Sequence, residues 1–172
     1  LYSINKNLSA GINVNKSSRV PTIEELYSEG PHLAAYSYEI GNPNLESENG
    51  IGIELFSFYK NENIFLMLTA FRNDFSYFIT PRNSGQINSQ TLLPIYKTEG
   101  VSALFYGLES YFELKFWNNF TISNSLSYTY GEFKESSSPL PQIPPLKNIV
   151  QLKFSQDNLS TGISSEIASS QR

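Results

Sequence analysis

The sequence predicts an all-β chain arranged as the wall of an antiparallel transmembrane β-barrel. Three observations carry that expectation. Apolar and polar residues alternate with period two in seven segments, the connections between those segments alternate between tight and long, and several segments are long enough to cross a bilayer as tilted strands.

The segments follow in order. In "NLSAGINVN", Leu8, Ala10, Ile12 and Val14 share one face, with Ser9, Gly11 and Asn13 on the other. "IGIELFSFYK" places Ile51, Ile53, Leu55 and Tyr59 opposite Glu54. "IFLMLTAFRNDFSYFI" is more continuously apolar and leaves its facing open. "VSALFYGLESYFELKF" is the clearest, with Leu104, Tyr106, Leu108, Phe112, Leu114 and Phe116 against Ala103, Gly107, Glu109 and Glu113. In "FTISNSLSYTYGEF", Ile122, Leu126, Tyr128 and Tyr130 alternate with serines and threonines. "NIVQLKF" sets Val150, Leu152 and Phe154 against Gln151 and Lys153, and "LSTGISSEI" sets Leu159, Ile163 and Ile167 against Ser160, Gly162 and Glu166. Successive strand side chains point to opposite faces, so each segment has one apolar and one polar face.

Alternation by itself suits a soluble sandwich equally well. The connections separate the two. They are long after Val14, Ile79 and Phe133, and short at "KNEN", "WNN" and "SQDN". Outer-membrane barrels gather long loops at one end and tight turns at the other in this way. Aromatics are expected in two belts: Tyr59, Phe65, Phe116, Trp117 and Phe120 near the tight turns, and Phe75, Tyr77, Phe78, Tyr128, Tyr130 and Phe133 near the long loops. The apolar face would then meet lipid, while Glu54, Glu109, Glu113 and Lys153 would meet a wet lumen.

Composition agrees. The chain has 172 residues, is rich in Phe and Tyr, and lacks Cys, which removes disulfides and thiolate metal sites. No apolar run is long enough for a membrane helix. A net charge of -4 with no basic stripe argues against nucleic acid as a partner. The start at Leu1 without a leader and the end at "SSQR" read as an internal piece of a longer protein.

The stretch between the first two strands is distinctive: "SRVPTIEELYSEGPHLAAYSYEIGNPNLESE". It resembles a segment of TonB-dependent outer-membrane receptors, in which R-x-P-x-x-x-E-L-Y, then G-P-H, then Y-E-x-G-N-P-x-L-x-x-E join an ascending to a descending strand. The matching residues are Arg19, Pro21, Glu25, Leu26, Tyr27, Gly30, Pro31, His32, Tyr38, Glu39, Gly41, Asn42, Pro43, Leu45 and Glu48. "GLESYFEL" and "PLPQIPPLKNIVQLKF" are similar to later pieces of the family in the same order, so the resemblance covers nearly the whole chain. It implies an open fragment of about seven strands from a barrel of about 22 strands. Residues 1–172 would form a partial barrel domain, with the plug domain and closing strands outside it. It also implies a location in the bacterial outer membrane, outer-membrane lipid as surroundings, and the TonB energy-transducing complex as a partner acting through the plug. The cargo would be a metal or metal chelate such as a ferric siderophore or zinc, with no resident cofactor. A cell-surface binding or adhesion protein is the alternative.

His32, the only histidine, is the sharpest candidate for cargo or metal contact, with Glu29 and Glu39 as possible co-ligands. The G-P-H form of this loop resembles the zinc-uptake branch of the family. The competing expectation is that His32 packs or caps an irregular loop. Arg19, Pro21 and Glu25 are expected to order that loop, with Arg19 pairing to Glu24 or Glu25. Glu109 and Glu113, four apart on a strand, stand about 13 Å apart and are too far separated for a catalytic pair. No nucleophile–His–acid order, phosphate-cradling glycine loop or HExxH element occurs, so no catalytic residue is expected.

Overall fold

Each of the seven alternating segments forms a strand, and each tight connection forms a turn, in the computed structural model, which describes residues 1–170. The last two residues of the expected domain span lie outside the described residues. The strands are β1 (Tyr2–Ser3), β2 (Leu8–Arg19), β3 (Glu29–His32), β4 (Ser37–Ile40), β5 (Glu48–Lys60), β6 (Ile64–Ile87), β7 (Pro94–Phe116), β8 (Phe120–Phe133), β9 (Lys147–Gln156) and β10 (Leu159–Ala168). One short helix, α1 (Ile23–Tyr27), and a 3-10 turn at Leu33–Ala35 complete the chain. The sheet runs β1-β2-β5-β6-β7-β8-β9-β10 with every neighbour antiparallel. The short β3–β4 hairpin hangs from it, with β4 parallel to β7. Among the described residues the sheet does not close on itself.

Two adjacent rows across the register show how the faces divide. Ile12, Leu55, Ala70, Leu108 and Tyr128 are successive cross-strand partners on one face. One residue along, Asn13, Glu54, Phe71, Gly107 and Thr129 are partners on the other. The first face, called outer below, leaves Ile12, Leu55 and Leu108 exposed at 61%, 55% and 44%. Nothing covers it, and no large side chain is fully buried anywhere among the described residues. The accessible surface is 11798 Å², against about 8,500 Å² for a folded soluble monomer of this mass. A single-layer wall accounts for that excess, because each face is left for another medium or another part of the protein.

The open facing of β6 is settled by its partners. Leu66, Leu68 and Ala70 lie outward with Tyr59 and Leu55, while Met67, Thr69 and Phe71 lie inward with Phe58, Phe56 and Glu54. This sorts the aromatics differently from two simple belts. At the tight-turn end Phe116, Trp117, Phe120 and Phe154 form an outward cluster with ring centroids 5.0–6.1 Å apart. Phe65, expected there, instead faces inward against Tyr111 at 6.0 Å. At the other end Tyr128 and Tyr130 lie outward, joined by Tyr106, 5.3 Å from Tyr130. Phe75 and Phe78 turn inward and pack on Phe105 at 5.6 and 5.0 Å, and Phe133 also lies on that face, beneath the Arg82 guanidinium. The register shift between Phe75 and Phe78 brings both rings to one side, which period two alone would not do.

Of the connections read as long loops, one is largely strand and another folds back onto the sheet. β6 and β7 continue their pairing to Ile87 and Pro94, so the expected loop after Ile79 is a hairpin extension with a tip of residues 88–93. The stretch after Phe133 folds back: Leu140 donates to the Gly131 carbonyl at 2.9 Å and is 5% exposed. A Cβ on Gly131 would meet Ile143 and Leu140 at 2.8 and 3.1 Å. The "PLPQIPP" segment therefore lies down on β8.

Candidate functional site

The segment between β2 and β5 is not irregular. Its order starts where β2 meets β5, since Arg19 and Glu48 are directly opposite cross-strand partners. Thr22 ends the extended run and caps α1. Its hydroxyl accepts from the Glu25 amide at 3.2 Å, and the Glu25 carboxylate accepts from the Thr22 amide at 2.7 Å, a reciprocal capping box. The same carboxylate takes a two-pronged bond from Arg19, 2.8 Å to Oε2 and 3.0 Å to Oε1. Arg19 also donates to Glu48 at 3.1 Å, and Glu48 accepts from the Ile79 amide at 3.1 Å. One guanidinium thus ties together β2, α1, β5 and, through Glu48, β6. The fork geometry suits arginine and not lysine.

The second half of the motif closes on the first. The Gly41 amide donates to Ser28 at 2.7 Å and the Asn42 amide to Glu25 at 2.9 Å. Asn42 then accepts from the Asn44 amide at 3.0 Å, with Pro43 between, a turn whose φ the proline presets. Gly41 is required by approach: a Cβ there would sit 2.7 Å from the Leu26 carbonyl carbon and from the Tyr27 nitrogen.

Held by this frame, β3 and β4 pair as Glu29↔Ile40, Gly30↔Glu39, Pro31↔Tyr38 and His32↔Ser37. His32 Nδ1 lies 2.8 Å from Glu39 Oε1, and the Ser37 hydroxyl donates to the same oxygen at 3.2 Å. Two of the three expected site residues therefore meet. Glu29 does not join them: it is three residues from His32 along a strand, so it faces the other way and stands about 10 Å off. No group of three or more His, Cys, Asp or Glu side chains is placed to hold a metal ion among the described residues. Sequence reading matched Glu48 without assigning its role and passed over Ser37. The first is legible only through the cross-strand register, the second through its two-residue spacing from Glu39 on one strand face.

The expectation for Arg19 holds with Glu25, not Glu24. Arg19 also holds the Glu25 carboxyl below its ordinary value of 4.5, against the opposing effect of burial and with help from Thr22. A carboxylate so lowered adds stability in full above the unfolded value and loses it as pH falls through the folded one. The frame is expected to stay closed between pH 7 and 5 and to loosen below about pH 4. Protease cleavage within residues 20–47 across a pH series checks this; onset of cleavage near neutrality would contradict it.

On the inner wall Glu54, Glu109, Glu113 and Lys153 share one face, as expected. Glu109 lies opposite Thr69 and Ser127, and Glu113 accepts from the Tyr111 hydroxyl at 3.0 Å.

The family described as "TonB dependent receptor-like, beta-barrel" matches residues 1–169. The chain belongs to the TonB-dependent receptors. It is 30% identical over 141 residues to an iron-regulated outer membrane virulence protein of Vibrio cholerae serotype O1, covering 76% of this chain and 22% of that protein. Among solved structures, the copper transporter OprC superposes with a TM-score of 0.81 at 17% identity, covering 97% of this chain and 25% of that one. A mutant ferric enterobactin receptor, PfeA, from Pseudomonas aeruginosa gives 0.73 at 22% identity, with 96% and 26% covered. The chain thus spans about a quarter of the length of the relatives it matches. Its outer face is the lipid-facing wall of an outer-membrane receptor barrel and its inner face the lumen wall. The family is one of receptors and transporters, not of enzymes.

Proposed function

We propose that this receptor segment forms part of an importer for a chelated metal, and that the framed β3–β4 hairpin contributes a cargo contact through His32 and Glu39. The observation that carries the reading is the pairing of His32 with Glu39 at 2.8 Å on a hairpin clamped by Arg19, Glu25 and Glu48. With Nδ1 engaged by the carboxylate, Nε2 is left to face a ligand, and the partner fixes ring orientation. A bare zinc ion takes four donors, and this pair offers at most two. A chelate brings its own donors and needs only orienting contacts, so a ferric chelate fits the pair better than a free ion. The names borne by the relatives, iron-regulated, ferric enterobactin and copper, lie in the same chemical range. Energy input would come from the TonB complex acting through a plug domain.

The test is uptake in a complete receptor containing residues 1–172, in cells starved of iron and supplied with a panel of ferric chelates. His32→Ala is expected to weaken binding of the transported chelate about tenfold while leaving barrel folding unchanged. Unchanged affinity for every transported chelate would remove His32 from the contact set. Failure of the wild type to import any metal or chelate would favour a binding or adhesion role.

A further inference from the structure

The lipid-facing wall carries a polar patch in the middle of its apolar band. On β8 the outward aromatics Phe120 and Tyr128 mark the two interfaces, and Asn124 stands four residues from each. Its row runs Phe112, Asn124, Val150, Ser165 across β7 to β10, and the adjacent outward row runs Ser110, Leu126, Asn148, Ile167. Ser110, Asn124, Asn148 and Ser165 therefore gather around Leu126 and Val150, each about 7–8 Å from the next as diagonal neighbours. On β2, β5 and β6 the same band presents Ile12, Leu55 and Leu68, with Ser57 as the polar interruption.

The two amides are only partly engaged. Asn124 Nδ2 donates to the Ile149 carbonyl at 3.2 Å and Asn148 Nδ2 to the Ser125 carbonyl at 3.5 Å. A primary amide has two N–H donors and an accepting oxygen. Among the described residues, both Oδ1 atoms and one N–H of each amide keep no partner, and neither do the Ser110 and Ser165 hydroxyls. Acyl chains offer these groups nothing, and headgroups lie too far off in either direction. Unpaired amide groups at that depth are costly, so their presence calls for a partner with hydrogen-bonding groups of its own.

We propose that this patch is the contact between two copies of the receptor in the plane of the outer membrane, related by a two-fold axis along the membrane normal near Val150. An isologous contact of this kind sets a surface against itself. An amide suits it, because the free N–H of one copy can donate to Oδ1 of the other and receive the same bond in return. The patch is uncharged, so pairing it buries no unmatched charge. Exposed Leu108, Val150 and Leu152 supply apolar contact around it. A second copy carries these donors and acceptors at the same depth and in the same orientation, which makes it the occupant that matches.

The test uses a complete receptor containing residues 1–172 and otherwise free of cysteine, in lipid vesicles under mild oxidation. Residues 1–172 hold no cysteine, so Val150→Cys reports contact at the patch. Leu55→Cys, four strands away on the same outer face, is the control. Val150→Cys is expected to form disulfide-linked dimers about tenfold faster than Leu55→Cys. Adding Asn124→Leu with Asn148→Leu should slow that linkage about tenfold, whereas adding Ser57→Leu should leave it unchanged. Equal rates at the two cysteine positions, or linkage undiminished by the leucine pair, would each overturn the proposal. So would Val150→Cys linking in intact cells to a different outer-membrane protein in place of its own copy. If the leucine variant does not fold, the comparison of the two cysteine positions decides.

Discussion

Leu68→Arg is expected to destabilise a complete barrel containing residues 1–172 by about 2–4 kcal/mol, while Thr69→Arg stays within about 0.5 kcal/mol of wild type. The two positions are adjacent on β6 and point to opposite media. Leu68 is 39% exposed on the outer face, between Ser57 and Ser110. The outward aromatics Tyr106 and Phe116 on β7 mark the two interfaces, and ten tilted strand residues between them span about 25 Å of height. Ser110, opposite Leu68, lies near the middle, so an arginine at residue 68 has the longest way to either interface. Thr69 faces the lumen opposite Phe56 and Glu109, where a guanidinium finds water and a carboxylate. Ile51→Arg, level with Lys16, should cost about 1 kcal/mol or less, because depth and not facing alone sets the cost. Folding into vesicles under denaturant titration measures all three. Equal costs at residues 51 and 68 would mean that the outer face does not meet a bilayer.

Gly41→Ala should open the frame around His32 at a cost of about 1–3 kcal/mol to the loop, in the range of overpacked sites. The new Cβ would press on backbone of Leu26 and Tyr27, which cannot swing aside as a side chain would. Relieving it lengthens the bonds from the Gly41 amide to Ser28 and from the Asn42 amide to Glu25, the two that hold the second half of the motif to the first. Faster proteolysis within residues 20–47, with the barrel still folded, is the expected readout. Cargo affinity should fall together with it if the hairpin contributes a contact. Gly30→Ala is the control, since no atom lies within 4 Å of a Cβ built there. Equal protease resistance of both variants would show that close approach at Gly41 does not hold the loop.

How far the sequence could be read differs by element. The strands of β2, β5, β7, β8, β9 and β10 were legible because one face of each is mostly apolar, and period two fixes facing once that is seen. β6 was not, because Phe65, Met67 and Phe71 make its lumen face as apolar as its lipid face. The inner Phe75–Phe78–Phe105 cluster misled for a related reason: a register shift reverses facing partway along a strand without any mark in composition.

At the candidate site the motif held Arg19, Glu25 and Glu48, and opposite charge with short spacing pointed Arg19 to Glu24 or Glu25; the structure chose Glu25. The place of Glu48 in that frame, 29 residues away from Arg19 in sequence, came only from the β2–β5 register. The sequence by itself determined the kind of wall this is, because alternation, turn spacing and strand length are local properties. Only the tertiary structure decided that His32 meets Glu39 and not Glu29, and that Arg19 reaches Glu48 as well as Glu25. Those are distances between separate strands, set by register and not by sequence spacing.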